Sequence, residues 1–519
     1  MTPPYTQEIK LFDFKKEDFV DQLELEPPAF TTRRKAYSQL RYIAEYVSHP
    51  AIGCRSLLVE DHYVDRDHME DHSVFYSRSL FPYGNVCRRV HFFRLPPDGV
   101  AASLDRLREV NRKEGEDAYR AACLSFSHDS YAGFAVIKPL TGSPLGRTVL
   151  RTYPKEKDGD ATYARHFTCA STYYAHVAGV ELTVRGLPFQ QQDQGVAACA
   201  TTAVWSALHR IRTFENIATF TPAQITTLAT KASLEFGRSM PSEGLSIDQM
   251  CQAIQAVGAS PVLRRVDDFR TARGLLYSSL RSGVAPILIM VSKAGSRHAV
   301  AAVGMGIRQR PLEKEGNIGD RASLLEVAYL HDDRNGPYIR AEIKDFETRL
   351  WLRLQTFPDA EAKEEWWMLT HLLFPMHAKV RISFGELREI SLDSVAAQVE
   401  TYRRLAAEKV AEAREGVVDV EMWIEMAHSY QRSLLDPMVD PEVANRLIHT
   451  TVLSRYVGVI RITAPFIDPI QVLIDTTGTE RNIYAIAVVA ESAKRVITRD
   501  LAAELAKRLK CFLVAPAGS

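Results

Sequence analysis

The chain has 519 residues, too many for one compact core, and at typical domain sizes of about 100 to 200 residues it divides into two to four domains, read here as three. Hydrophobic residues make up 46% and charged residues 25%, a globular composition that excludes wholesale disorder. Lys plus Arg and Asp plus Glu both number 64, so no bulk charge draws the chain to nucleic acid or to an anionic membrane.

The start, MTPPYTQEIK, lacks the charged-then-apolar pattern of a secretory signal, and apolar runs such as VAPILIMV are far shorter than the roughly 20 residues that span a bilayer as a helix. Seven scattered cysteines with no CxxC pair read as reduced thiols. The expectation is a cytoplasmic protein with no membrane or nucleic-acid partner, no metal and no cofactor.

Along residues 1–180, TRRKAYSQLRYIAEYV and VAASLDRLREVNRKEGEDAYRAA carry helical periodicity. The runs SYAGFAVIKPL, RTVLRTY and ASTYYAHVAGVELTV read as strands. In VEDHYVDRDHMEDH, His62, His68 and His72 stand among Asp65, Asp67, Glu70 and Asp71. With Arg66 interleaved and no zinc signature, the stretch reads as a salt-bridged polar network rather than a metal site. GSPLGRTVLR, with Arg147, resembles an anion cradle but has no phosphate-loop lysine.

Between 181 and 345 three helical patterns, AVWSALHRI, TPAQITTLATKA and SIDQMCQAIQAVG, precede three strands, APILIMV, HAVAAVGMG and LLEVAYLHD, an α+β order. Cys251 falls on the apolar pattern of the third helix and reads as core. The polar stretch 308–323 reads as an exposed loop. Residues 346–519 change character and form a third, α+β unit; in it Trp366 and Trp367 read as core or interdomain packing.

Cys199 opens the first of these helices, whose apolar positions Ala203, Val204, Ala207, Leu208 and Ile211 share a face. The unpaired amides and the positive dipole end of a helix start favour a thiolate and can hold an oxyanion. Downstream, His298 heads a small-residue strand and fits a general base, and Asp332 ends the next strand as its orienter, with Asp333 as competitor.

These residues resemble the papain-like cysteine peptidases. The chain reads DQGVAAC where that family has a QG…C context, HAVAAVG where it carries its base, and YLHDDRNGPYIRAEI where its third residue precedes a glycine turn. The resemblance implies a central domain over 181–345 in which a helical half carrying Cys199 packs on an antiparallel sheet carrying His298 and Asp332. It implies cleavage of a peptide or isopeptide bond, with Gln194 as oxyanion donor and a protein or peptide as substrate. Gln194 stands one position closer to the cysteine than the family spacing, so Gln191 and Gln192 remain alternatives. Ala200 follows the cysteine in place of an aromatic residue, and Asp332, Asp333, Arg334 and Asn335 replace the family's Asn-Ser-Trp-Gly stretch, so no indole shield is expected over the triad. The likeness is therefore to divergent bacterial papain-like and C39-like enzymes that use aspartate. The same thioester chemistry admits acyl transfer or deamidation, and an inactive binding or regulatory domain is the reading from another class. A thiol hydrolase between two large flanking units also suggests activation by a protein partner or ligand.

Overall fold

A computed structural model describes residues 9–25, 37–157, 160–193, 195–196, 198–215, 218–231, 240, 244–309, 314–315, 318–355, 365–406, 417–478, 483–488 and 495–515. The chain is a multidomain α+β protein.

Its N-terminal part is built on five antiparallel strands in chain order, Ile9–Asp13, Ser56–Tyr63, Cys87–Phe93, Tyr131–Ile137 and Leu145–Leu150. Alternation of side chains along a strand divides these residues between two cores. Leu57 and Val59 pack with Leu40, Ile43 and Val47 of the helix Ser38–Ser48, whereas Leu58 joins Val100, Leu104 and Leu107 of the helix Pro97–Glu114. The single helical pattern expected over 100–122 is two helices, because Gly115 takes φ +89° between Pro97–Glu114 and Glu116–Ser130.

The centre is a closed barrel. Six strands, Ile287–Ser292, Arg297–Arg308, Leu325–Asp332, Gly336–Phe346, Arg349–Leu354 and Glu365–His377, pair antiparallel in succession, and the last returns to the first. Closure removes the open edges that a flat sheet would expose. Ala259–Arg265 adds to the outside of Glu365–His377, and Asp160–His166 to Arg297–Arg308. The expected boundary at 345 thus falls inside the barrel and moves to about 377, because Arg349–Leu354 and Glu365–His377 supply its closing hydrogen bonds. The boundary at 180 likewise divides a hairpin, Ser171–Val177 with Val180–Gly186.

The helices Cys199–Glu215 and Phe269–Arg281 pack on barrel strands, and Pro222–Thr230 and Ile247–Ala256 pack on Cys199–Glu215. Cys199–Glu215 packs on Arg297–Arg308, and its buried Ala200, Ala203, Val204 and Ala207 are small enough for a close approach. Pro222–Thr230 and Ile247–Ala256 both begin with capping boxes, Thr221 with Gln224 and Ser246 with Gln249, which satisfy two terminal amides each. Cys251 is half-buried and packs on the main core, as its pattern suggested.

The C-terminal sheet has seven strands in the order Lys314–Glu315, Ile318–Asp320, Val418–Met426, Tyr456–Ala464, Ile467–Asp475, Ile483–Val488 and Phe512–Val514. Ile318–Asp320 lies within the stretch expected to be a plain loop. It pairs parallel with Val418–Val420 and so hydrogen-bonds the connection between two barrel strands to the C-terminal sheet. Glu421 reinforces the junction by accepting from Tyr277 Oη and Arg281 Nε, each at 2.8 Å. Among the described residues no helix is long and apolar enough to cross a membrane.

Candidate active site

The barrel and the cysteine helix bring Cys199, His298 and Asp332 together. Cys199 is the first residue of its helix, so its amide has no acceptor within that helix, and its side chain is partly exposed. His298, 4% exposed, is the second residue of its strand and faces the helix. Its Nε2 lies 3.1 Å from Asp332 Oδ1. A carboxylate only accepts, so Nε2 donates, which leaves Nδ1 for the hydrogen bond with Cys199.

Asp332 is fully buried at the end of its strand. Besides His298 it accepts from the Arg334 amide at 3.0 Å and from Asn335 Nδ2 at 2.8 Å. Burial raises its pKa, but the His298 charge and hydrogen bond, Arg334 and Asn335 outweigh this and hold the carboxyl well below the usual range. Burial favours a neutral His298, yet the Asp332 charge and hydrogen bond, with Cys199 and Asp333, carry its pKa up to about 10. The arrangement therefore favours the charged imidazolium beside the Cys199 sulfur.

Asp333 is the outer member. Its Oδ1 is 3.8 Å from His298 Nε2, and both its oxygens are buried without a hydrogen-bond partner. Burial, with the like charge of Asp332, pushes its pKa up to about 7. Of the two adjacent acids Asp332 thus makes the orienting bond. His298, Asp332 and Asp333 place three ligand-type atoms within 4.8 Å, the group among the described residues with metal-like spacing. Within the trio Asp332 already accepts from His298, Arg334 and Asn335, whereas the Asp333 oxygens accept from none.

An indole does flank the histidine, contrary to the expectation from the replaced Asn-Ser-Trp-Gly stretch. Trp367 comes from the strand Glu365–His377, with its ring 5.4 Å from the His298 ring at an interplanar angle of 48°. Its Nε1 donates to Glu365 Oε2 at 3.1 Å, the same oxygen that accepts from Arg334, and the Arg334 guanidinium lies 5.0 Å over the indole. The sequence signal was the Trp366–Trp367 doublet. Strand alternation sends one indole inward and the other outward, but the doublet lay beyond the expected boundary.

The turn after Asp332 is braced by the N-terminal part. Gln39 Nε2 donates to the Arg334 carbonyl at 2.6 Å, and Gly336, at φ +144°, lies so close to Tyr42 that a Cβ would meet the ring at 2.3 Å. His331, pushed down to about 3 by burial despite its bond to Pro188, is a neutral ring whose Nδ1 donates to the Pro188 carbonyl at 3.2 Å. Ser206 Oγ donates to the same carbonyl at 3.0 Å, anchoring the segment that leads to Cys199.

Of the expected oxyanion donors, Gln194 lies outside the described residues. The Gln191 side-chain oxygen accepts from the Leu145 amide at 3.1 Å, a bond that holds the side chain without using its Nε2 donor. Gln192 is half-buried, and Gln190, unremarked in the sequence, is buried with both amide atoms unpartnered. Asp193 caps the turn before the helix by accepting from the Gly195 and Val196 amides at 2.9 and 2.7 Å, and pairs with Lys138 at 3.4 Å.

The histidine-rich stretch is the polar network its interleaved charges suggested. Asp65 caps the helix Arg66–Val74 and binds Arg147 at 2.7 Å, so the arginine of the apparent anion cradle already holds a carboxylate. His68 and His72 bond the carbonyls of Gly84 and Tyr83, each at 3.0 Å, and His62 is exposed. Compared with known proteins, the chain matches no family model and no curated protein.

Proposed function

We propose that the chain is a papain-like thiol hydrolase that attacks a peptide or isopeptide bond with Cys199. The observation that carries this reading is the single imidazole bonded on one side to a helix-start cysteine and on the other to a buried aspartate. In the reaction the Cys199 thiol proton passes to His298 Nδ1 as the sulfur adds to the carbonyl carbon, and the Cys199 amide at the helix start stabilises the oxygen that becomes negative. His298 Nδ1 gives its proton to the leaving amine, and the thioester remains on Cys199. Water, deprotonated by His298, then releases the acid and restores the thiol. Asp332 keeps the ring in register through Nε2 and offsets its positive charge. Trp367 and its Arg334–Glu365 clamp cover the His298–Asp332 pair and limit water there.

The flanking units serve as supports for the site, since Gln39 and Tyr42 brace the turn carrying Asp332. The test is a peptide-library digestion read by mass spectrometry with the wild type and Cys199→Ala. Cleavage that disappears in a variant with an unchanged circular-dichroism spectrum supports the reading, and cleavage retained in that variant overturns it. Product masses also separate hydrolysis from ligation or deamidation on the same thioester.

A further inference from the structure

Neighbouring residues of a regular strand face opposite ways, yet Asp332 and Asp333 both turn their carboxylates to one ring nitrogen. The register slips between Leu330 and Asp332, where the strand Leu325–Asp332 runs out, and Asp333 falls in the turn that follows. Asp332 Oδ1 lies 3.1 Å and Asp333 Oδ1 3.8 Å from His298 Nε2, and one ligand atom from each of the three lies within 4.8 Å of the others.

The thiol reaction uses Asp332 and leaves Asp333 over. Asp333 is 2% exposed, its two oxygens accept no hydrogen bond, and among the described residues its only salt-bridging neighbour is His298. Arg334 does not serve it, because that guanidinium is bonded to Glu365 at 3.1 Å and meets the pair of acids only at Asp332 Oδ1, 3.9 Å away. A carboxylate buried without partners costs the fold free energy, and a cation held between it, Asp332 and the imidazole would remove that cost.

The donor set selects the cation. An imidazole with two carboxylates suits zinc, whereas magnesium and calcium take shells of oxygen. Zinc bonds of about 2.1 Å place neighbouring ligand atoms of a tetrahedron about 3.4 Å apart, a spacing between the two measured here. The second Asp333 oxygen, equally unpartnered, supplies a fourth donor. Two carboxylates and a neutral imidazole carry the charge that a dication cancels.

We propose that His298 Nε2, Asp332 and Asp333 form a zinc-binding site. The ion takes the place of the Nε2 proton, which leaves to solvent, and Nδ1 keeps its hydrogen toward Cys199. Cys199 lies on the other side of the ring and is not a ligand. The site rests on the geometry of these three side chains and stands whatever reaction Cys199 performs.

The experiment is calorimetric titration of the full-length protein, stripped with a chelator and desalted, with zinc chloride and with magnesium chloride, repeated on Asp333→Asn and Cys199→Ala. Both replacements are no larger than the native side chains, and thermal melts check that the variants fold. The wild type should bind one zinc ion per chain at least about a hundredfold more tightly than magnesium. Asp333→Asn should weaken zinc at least about tenfold, and Cys199→Ala should leave it unchanged. Cobalt bound in place of zinc should show no thiolate charge-transfer absorption. Absence of zinc binding, equal affinity for magnesium, or undiminished binding by Asp333→Asn overturns the proposal. So does a loss in Cys199→Ala or a thiolate band with cobalt, either of which puts the ion between the sulfur and Nδ1.

Discussion

Replacing Asp333 by Asn should stabilise the protein at alkaline pH and not in acid. Its carboxyl is buried without hydrogen-bond partners and has its pKa pushed up to about 7 by burial and by Asp332. An unfolded Asp titrates near 3.9, so the folded state prefers the protonated form. That preference contributes fully below about pH 4 and is lost as pH rises through 7. Above that the charged carboxylate costs the fold about three pKa units, or about 4 kcal/mol. Asn keeps the shape and cannot ionise, although its buried amide gives back about 1 to 3 kcal/mol for want of partners. The net gain at about pH 9 is then about 1 to 3 kcal/mol, which raises the melting temperature by several degrees. At about pH 4.5 the gain should vanish or reverse. Thermal melts of the wild type and Asp333→Asn at both pH values provide the assay. A gain of the same size at both, or a loss at about pH 9, would refute the argument, because either outcome removes charge as its cause.

Other perturbations test neighbouring parts of the site. Trp367→Phe should leave the barrel folded but slow alkylation of Cys199 by iodoacetamide several-fold, since it replaces the indole that covers the His298–Asp332 pair by a smaller ring and removes the Nε1 bond to Glu365. Peptide mass spectrometry reads the rate, and an unchanged rate contradicts the shielding role. Gly336→Ala should lower the melting temperature, because the new methyl would meet the Tyr42 ring at 2.3 Å and the backbone there has φ +144°. Adding Tyr42→Ala should recover the steric part of the loss and leave the backbone part, roughly 1 to 2 kcal/mol. Lowering the pH should weaken the fold below about pH 4, because Asp332, held well below its ordinary pKa, contributes stability above that pH and loses it as the carboxyl is protonated. In Asp332→Asn this acid sensitivity should shrink, as urea midpoints at about pH 3.5 and 6 would show.

The grouping of Cys199, His298 and Asp332 was legible because each sits at a point where local pattern and chemistry coincide. Cys199 begins a helix with a small-residue face, His298 begins a strand, and Asp332 ends one before a turn. The choice between Asp332 and Asp333 was not, because adjacent residues at a strand end diverge only through the turn geometry that follows. There the Arg334 amide and Asn335 Nδ2 fix Asp332 toward His298. Trp367 escaped for a different reason. Barrel closure is a non-local pairing, Ile287 with Leu373, and no periodicity within 346–377 announces it. The short strand Ile318–Asp320 was hidden in the same way, since its polar composition reads as loop and only the distant Val418–Val420 makes it a strand.

The central claim is an activated pair between Cys199 and His298. The most direct measurement is labelling of the full-length protein with limiting iodoacetamide across about pH 5 to 9, read for each cysteine by peptide mass spectrometry and repeated on His298→Ala. Burial pushes the Cys251 thiol up and carries Cys511 to about 11, so both serve as slow internal references. Cys199 should react first at the acidic end and lose that lead in His298→Ala. A Cys199 that labels no faster than Cys251 and Cys511, or as fast without the imidazole as with it, would contradict the account.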